Sequence, residues 1–254
     1  MNIMQKMPDQ EYFAADGLSC SFMKQFDRSP AHAMAGIQKT PAMTFGSALH
    51  CYALERARFD TDYVIQPDYI KIRKGKAWDA FKAENEGKEI IKPEELNNIT
   101  EMVKNIPGKY LELIATGETE VAVFWESSIM GDMIQCKGKL DAINDNVLID
   151  LKTTDDASKF AKSVINFAYY RQAAWYLDGV AAVTGRPVDD YTFKFVAMEK
   201  TAPYGVIVFD LDKEYLKSGR AKNLATMINY SNWSGQPELY KNIEQTIEKP
   251  SWID

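Results

Sequence analysis

The sequence predicts an α/β fold in which a central mixed β-sheet is flanked by helices. Two observations carry this expectation. Segments rich in β-branched and aromatic residues cluster between about residues 118 and 209, and stretches with apolar residues at helical spacing lie before, between and after them. No repeat, low-complexity tract or linker breaks the chain, so a single domain is expected. Its parts are a helical N-terminal portion (about 1–115), a catalytic core (about 116–212) and a C-terminal helix and tail (213–254).

Residues 18–26 (LSCSFMKQF) read as a short helix with serine capping, which Ser29-Pro30 ends. Residues 44–55 (TFGSALHCYALE) carry apolar residues at helical spacing and read as a second helix. A basic stretch around IRKGKAW, within residues 69–87, reads as a loop entering a helix. Residues 93–105 start with Pro and place acidic residues in the first turn, which suits a helix N-terminus. Residues 120–126, 133–144 and 147–152 read as three strands, with a turn at 130–132. Helices are expected from 157 to about 183, closed by Gly185 and Pro187. Two more strands (191–196 and 206–209) and a helix (213–230) complete the core.

The chain has 254 residues, 46% hydrophobic and 26% charged, with a formal net charge of −6. That charge argues against a protein that coats DNA through bulk electrostatics, because phosphate neutralisation needs Lys and Arg. It leaves room for an enzyme whose basic residues line one groove. No apolar run approaches the ~18 residues of a membrane span, and the first residues lack a signal-peptide core, so a cytoplasmic protein with no membrane partner is expected. Cys20, Cys51 and Cys136 are odd in number and widely spaced, which suits three reduced, buried thiols rather than a disulfide, zinc or iron–sulfur framework.

Residues 137–154 (KGKLDAINDNVLIDLKTT) carry the most chemistry. If Asp145-Asn146 forms a two-residue hairpin turn, Asn144 pairs with Val147, Ile143 with Leu148 and Ala142 with Ile149. Asp141 then falls opposite Asp150, and Lys152 shares the Asp150 face. Opposed carboxylates in a hairpin repel each other and call for a compensating cation. A hard divalent ion held by carboxylate oxygens fits, with Lys152 placed to orient or activate a water. Asp-x-Lys on a strand also suits an ordinary solvated face.

Asp141, the segment 149–154 (IDLKTT), the segment 170–179 (YRQAAWYLDG) and the upstream segment 45–50 (FGSALH) together resemble the exonuclease VIII (RecE)-like phage exonucleases. These belong to the RecB-like branch of the PD-(D/E)XK nuclease superfamily. The segment Glu199-Lys200…Pro203-Tyr204 and the tail around Trp252 fit the same resemblance, which runs from about Tyr12 to Trp252. It implies a restriction-endonuclease-like PD-(D/E)XK core. By this resemblance Asp141, Asp150 and the Leu151 carbonyl hold Mg2+, for which Mn2+ substitutes, and Lys152 serves the attacking water. It further implies that His50 binds or organises the metal, that Glu120 stands near it, and that Gln172 and Tyr176 form a Q-x-x-x-Y motif on one helix face. The residues alone also allow a core histidine at His50 and simple packing for Trp175 and Tyr176; His32 reads as structural or exposed.

For DNA, Arg73, Lys74 and Lys76 form the densest basic cluster, with Trp78 available for stacking, while Arg28 beside Ser19 and Ser21 suits a terminal phosphate. The same cluster also suits a solvated loop. The resemblance implies 5′-to-3′ digestion of double-stranded DNA ends by a ring-like homo-oligomer in phage recombination, with a single-strand annealing protein as partner. A ring would gather modest basic patches in one channel. The alternatives are a RecB-like single-strand nuclease or endonuclease, and a non-catalytic DNA-binding or assembly module on a nuclease fold.

Overall fold

A computed structural model of the chain describes residues 2–239, 244 and 246–249. Helices and short strands fill the N-terminal half: β1 (Ile3–Lys6), α1 (Asp9–Ala14), α2 (Cys20–Phe26), α3 (Pro30–Ala35), α4 (Pro41–Leu54), α5 (Arg56–Asp62), β2 (Tyr63–Ile65), α6 (Lys76–Glu84), β3 (Glu89–Ile91), α7 (Pro93–Lys104) and α8 (Gly108–Thr116). The sheet and its helices follow: β4 (Glu118–Ile129), β5 (Asp132–Asn144), β6 (Val147–Thr154), α9 (Phe160–Asn166), α10 (Tyr169–Thr184), β7 (Thr192–Glu199), β8 (Val206–Asp210) and α11 (Lys213–Ser231). The expected tail residue Trp252 lies outside the described residues.

Local chemistry sets the helix ends. Ser19 accepts from Phe22 N at 3.2 Å to start α2, and Thr40 accepts from Met43 N at 3.3 Å with Pro41 in the first turn of α4. Glu95 reaches back to Lys92 N at 2.7 Å at the start of α7. Ser29-Pro30 does more than end a helix: Ser29 also caps α3, accepting from His32 N at 3.3 Å.

The six-stranded sheet has the order β1-β4-β5-β6-β7-β8. The β6–β7 pair is parallel and the other pairs are antiparallel, so the sheet is mixed, as expected, and mostly antiparallel. The parallel pair needs a crossover, which α9 and α10 provide. A separate two-stranded sheet joins β2 and β3 in parallel. These two strands and β1 are three or four residues long, too short to show an alternating pattern, and the sequence reading does not anticipate them.

Each face of the sheet carries its own core. On one face Trp125, Cys136, Leu148 and Phe195 join Met23 of α2, Trp175 and Leu177 of α10 and Met227 of α11. On the other face Ile149, Leu151, Val196 and Met198 join Leu49 of α4, Ile99 and Met102 of α7 and Ile114 of α8. Completely buried side chains such as Phe195 and Leu49 each contribute roughly 1.5–3 kcal/mol. Helix α10 lies so close to the sheet that a Cβ on Gly179 would come within 2.6 Å of the Trp125 ring. That contact fixes where α10 presents Gln172.

Candidate functional site

Strand β5 lies between β4 and β6; its ladder with β4 steps from Thr119↔Ala142 to Val121↔Leu140 and its ladder with β6 stops at Ala142↔Ile149, so Glu120, Asp141 and Asp150 form an acidic row where the regular pairing is interrupted. The hairpin expectation holds for Asn144↔Val147, Ile143↔Leu148 and Ala142↔Ile149, with Asp145 taking a positive φ of 46° in the turn. It fails at the next step, because the ladder ends before Asp141 and Asp150. There the Asp141 carboxylate turns and its Oδ2 accepts from Leu151 N at 2.7 Å. A regular strand would put Leu140 and Ala142 on the same face. Instead they pack in opposite cores, so β5 turns over at Asp141. Glu120, beside it on β4, has φ 56°, a left-handed conformation that costs a non-glycine residue about 1 kcal/mol or more.

On the α4 side, His50, Glu120 and Asp141 each offer a ligand atom, all within 4.8 Å of one another. Buried Ala48 and Leu49 seat α4 against the sheet and aim His50 at this cluster. Its Nδ1 lies 3.4 Å from Asp141 Oδ1 and its Nε2 lies 2.9 Å from Leu151 O. Both partners are acceptors, which suits a doubly protonated imidazolium. Burial disfavours that cation, but the adjacent Asp141 charge and hydrogen bond outweigh it and lift His50 to about 9. Asp141 is held below its ordinary range because His50, Lys152 and the Leu151 N–H overcome its burial. Glu120 is raised by burial and by the Asp141 charge, against the pull of Lys139, whose Nζ lies 2.7 Å away. Lys139 also pairs with Asp9, which in turn bonds Arg58 at 2.6 Å. The cluster opens into a cavity of about 220 Å³ whose wall includes Ser47 and Arg58.

Asp150 belongs to the other side of the row. It is buried, and Gln172 Nε2 of α10 donates to its Oδ1 at 2.8 Å. Lys152 Nζ lies 2.5 Å from Oδ2, which is closed off from water. Burial pushes Asp150 up to about 6, with Lys152 opposing and Asp141 adding to the shift. Lys152 is itself held above the ordinary lysine range, since Asp150 and Asp141 outweigh its burial. The two sides meet through Leu151, whose N–H serves Asp141 and whose carbonyl serves His50.

These residues fit a divalent cation. His50, Glu120 and Asp141 offer one imidazole nitrogen and two carboxylate oxygens, a donor set that a divalent cation takes. His50, Glu120 and Asp141 would hold the ion, with Leu151 O and Asp150 adjacent.

The remaining expected residues divide. Tyr176 lines a small cavity of about 60 Å³ with Gln172, Ser19 and Ser21, and its ring crowds Gly138, where a Cβ would come within 3.0 Å. Trp175 packs on Trp125 at 4.8 Å between ring centres. Arg28 is exposed and bonds Gln25, while Ser19 is spent on capping α2. Lys74 and Lys76 are exposed. Arg73 braces the loop through Gln66 and Ile90 O. Trp78 corrects the expectation: it is 8% exposed and packs with Ile70 and Phe81, so it offers no open face for a base. His32 is structural, with Nδ1 2.7 Å from Ser29 Oγ. All three cysteines are free and buried.

Sequence reasoning missed Lys139, Lys24, Tyr169 and Arg171. Buried Arg171 bonds Asn223 and Thr226 of α11 at 2.9 Å and pairs with Asp27, which ties α10 to its neighbours. A charged residue within apolar α10 was its signal; the Lys139–Asp9 contact has none, because 130 residues separate the partners.

A sheet with one acidic row, a D-x-K strand and a facing histidine defines a protein of the PD-(D/E)XK class. The chain belongs to the family described as a PDDEXK-like domain of unknown function (DUF3799), which matches residues 19–239. Among solved structures, one described as a "Putative exonuclease" from Eubacterium rectale superposes with a TM-score of 0.62. It is 16% identical, over 89% of this chain and 85% of its own. A second, SSO0001, is also 16% identical over 81% of this chain and 85% of its own, but its TM-score of 0.32 is too low to bear on the fold. No curated protein matches the sequence. No helix among the described residues is long and apolar enough to cross a membrane.

Proposed function

We propose that the protein is a divalent-metal-dependent deoxyribonuclease that hydrolyses phosphodiester bonds from double-stranded DNA ends. The observation that carries this reading is the convergence of His50, Glu120 and Asp141 within 4.8 Å, next to the buried Asp150–Lys152 pair. His50, Glu120 and Asp141 would hold a magnesium or manganese ion there, which would supply Lewis-acid polarisation of the phosphodiester and activation of water. Asp141 fixes the geometry through the Leu151 N–H. Gln172 holds Asp150 in one rotamer. Lys152 keeps its proton near neutral pH, so it acts as a fixed positive charge that orients the nucleophile and steadies the developing phosphorane charge.

A non-catalytic module on this fold would have no need for a buried Asp150–Lys152 pair together with a converging histidine and two carboxylates, and that concentration of ionisable groups supports catalysis over mere scaffolding. The finer reading is resection of linear duplex from 5′ ends in phage-type recombination, by a ring-shaped oligomer working with an annealing protein. It rests on the motif resemblance.

One experiment compares 5′-phosphorylated linear duplex, single-stranded DNA and closed circular duplex with magnesium. Digestion of linear duplex that spares closed circles is expected. Cutting of closed circles defeats the exonuclease reading in favour of an endonuclease, and digestion confined to single strands favours the RecB-like alternative. Full activity of Asp150→Ala defeats the site assignment.

A further inference from the structure

On the α10 side of the sheet a second cavity, of about 450 Å³, lies between α2 and the junction of α9 with α10. Its size falls within the range of small-ligand pockets. Lys24 reaches it from α2, donating to Phe167 O at 3.1 Å with its Nζ 5.9 Å from the centre of the Tyr169 ring. The neighbouring cations are already matched: Lys152 pairs with Asp150, and Arg171 with Asp27. Lys24 makes no ion pair among the described residues. Burial weakens its charged form, and the Lys152 and Arg171 charges add to that effect against an opposing contribution from Cys20. A half-buried ammonium whose acceptors are a carbonyl and a ring face is suited to an incoming anion. Asp27 also lines the cavity, but it is engaged by Arg171 and Thr226.

The apolar part of the wall is equally specific. Phe167 is 58% exposed although it sits beside this cavity and in ring contact with Tyr169, 5.6 Å between centres. The residue between them, Ala168, has φ 51°, a left-handed conformation that alanine adopts at a cost. The chain thus bears strain at the point that turns Phe167 outward and Tyr169 inward. Lys152 Nζ lies 5.0 Å from the same Tyr169 ring, so an anion on Lys24 would stand one ring away from the catalytic lysine.

We propose that this cavity is a subsite for one unpaired nucleotide of a DNA strand, with its phosphate on Lys24 and its base against Phe167. Bases within a duplex already have both faces stacked, so an exposed aromatic of this kind selects an unstacked one. The subsite leads a single strand toward Lys152 and gives the site a preference for frayed or displaced ends. This rests on the nuclease reading above.

The test measures binding of a short oligothymidylate carrying one 2-aminopurine, with calcium in place of magnesium, across a range of salt. The wild-type protein binds it and quenches the probe. Phe167→Ala weakens binding roughly 5- to 150-fold, the range expected for one stacked base, and relieves the quench, whereas Phe167→Trp retains both. Lys24→Met lowers the slope of log affinity against log salt by about 0.7, as loss of one single-strand phosphate contact requires, and Lys24→Arg restores it. A merely structural Lys24 would not move that slope. If the oligonucleotide binds but neither substitution changes affinity, quench or slope, the subsite is wrong. Binding of blunt duplex with no binding of single strand also overturns it. If the protein binds no DNA of either form and cuts none, the nuclease reading fails, and the subsite with it.

Discussion

The two sides of the acidic row differ in what balances their carboxylates. On the α4 side, Glu120 and Asp141 face a protonated histidine and a lysine, beside an open cavity of about 220 Å³. On the α10 side, Asp150 is sealed in, held by Lys152 and the Gln172 amide. The first arrangement can exchange its cations: a proton can leave His50, and Lys139 has Asp9 as a second partner. The second keeps its cation, since Lys152 has no accessible route to losing its proton near neutral pH. Under the proposed function, this difference would give metal capture to one side and control of the reacting water to the other.

That division breaks most visibly at Asp150. Asp150→Asn keeps the shape and removes the charge that Lys152 answers, and cleavage of linear duplex is expected to fall by about 10³-fold or more, at the upper end of single-residue proton-transfer effects. Metal affinity, read by manganese titration, changes far less. His50→Gln should do the reverse, weakening manganese binding about 10- to 100-fold with a smaller loss of rate at saturating metal. If the two substitutions exchanged effects, the assignment of roles would be inverted.

Acidity tests the same contrast. A metal must displace the proton on His50, which titrates at about 9, so manganese affinity should rise by up to tenfold per pH unit from about pH 6.5 and level off above 9. Stability runs the other way in metal-free protein. His50 is raised in the fold, so its contribution is complete below 6.5 and is lost as pH climbs through 9. Asp150 is also raised, from 3.8 to about 6, so the fold loses stability as that group ionises across this lower window. Melting temperature without metal should therefore fall from pH 4 to 9, and the gain on adding manganese should widen over pH 6.5–9. A gain that is flat with pH would remove His50 from the metal site.

How much of this was legible in the sequence depends on distance along the chain. The hairpin register was readable because a two-residue turn fixes it, and three of its pairs appear as read. The failure at Asp141 was not readable, because it depends on Glu120 of a neighbouring strand adopting φ 56° and on Leu151 N–H finding a side-chain acceptor. His50 stood out by motif, since it closes the Gly46-x-x-x-His50 spacing on an apolar helix, whereas His32 on the equally apolar α3 has no such context. Trp78 misled because a tryptophan after three basic residues looks available, whereas Ile70 and Phe81 enclose it in a satellite core. Lys24 and Tyr169 gave no sequence signal: their meeting depends on α2 packing against the start of α10, across 143 residues for the Lys24–Phe167 bond.

The smallest expected effect has the opposite sign to that of His50→Gln. Lys139 neutralises Glu120 from 2.7 Å while anchored to Asp9, and so competes with any ion for that carboxylate. Lys139→Met removes the competitor and keeps the length of an apolar stem, so manganese affinity should rise at least a few-fold, since about 1 kcal/mol is the bulk-water floor for a unit charge at this range. Burial and the Asp141 charge already raise Glu120, and without Lys139 it would be raised further, so part of the gain would be masked by protonation at low pH. The titration therefore belongs on the alkaline side of neutral, where a proton on Glu120 competes least. Unchanged affinity there would mean that Glu120 stands beside the metal without touching it, leaving His50 and Asp141 as its side-chain ligands on the α4 side.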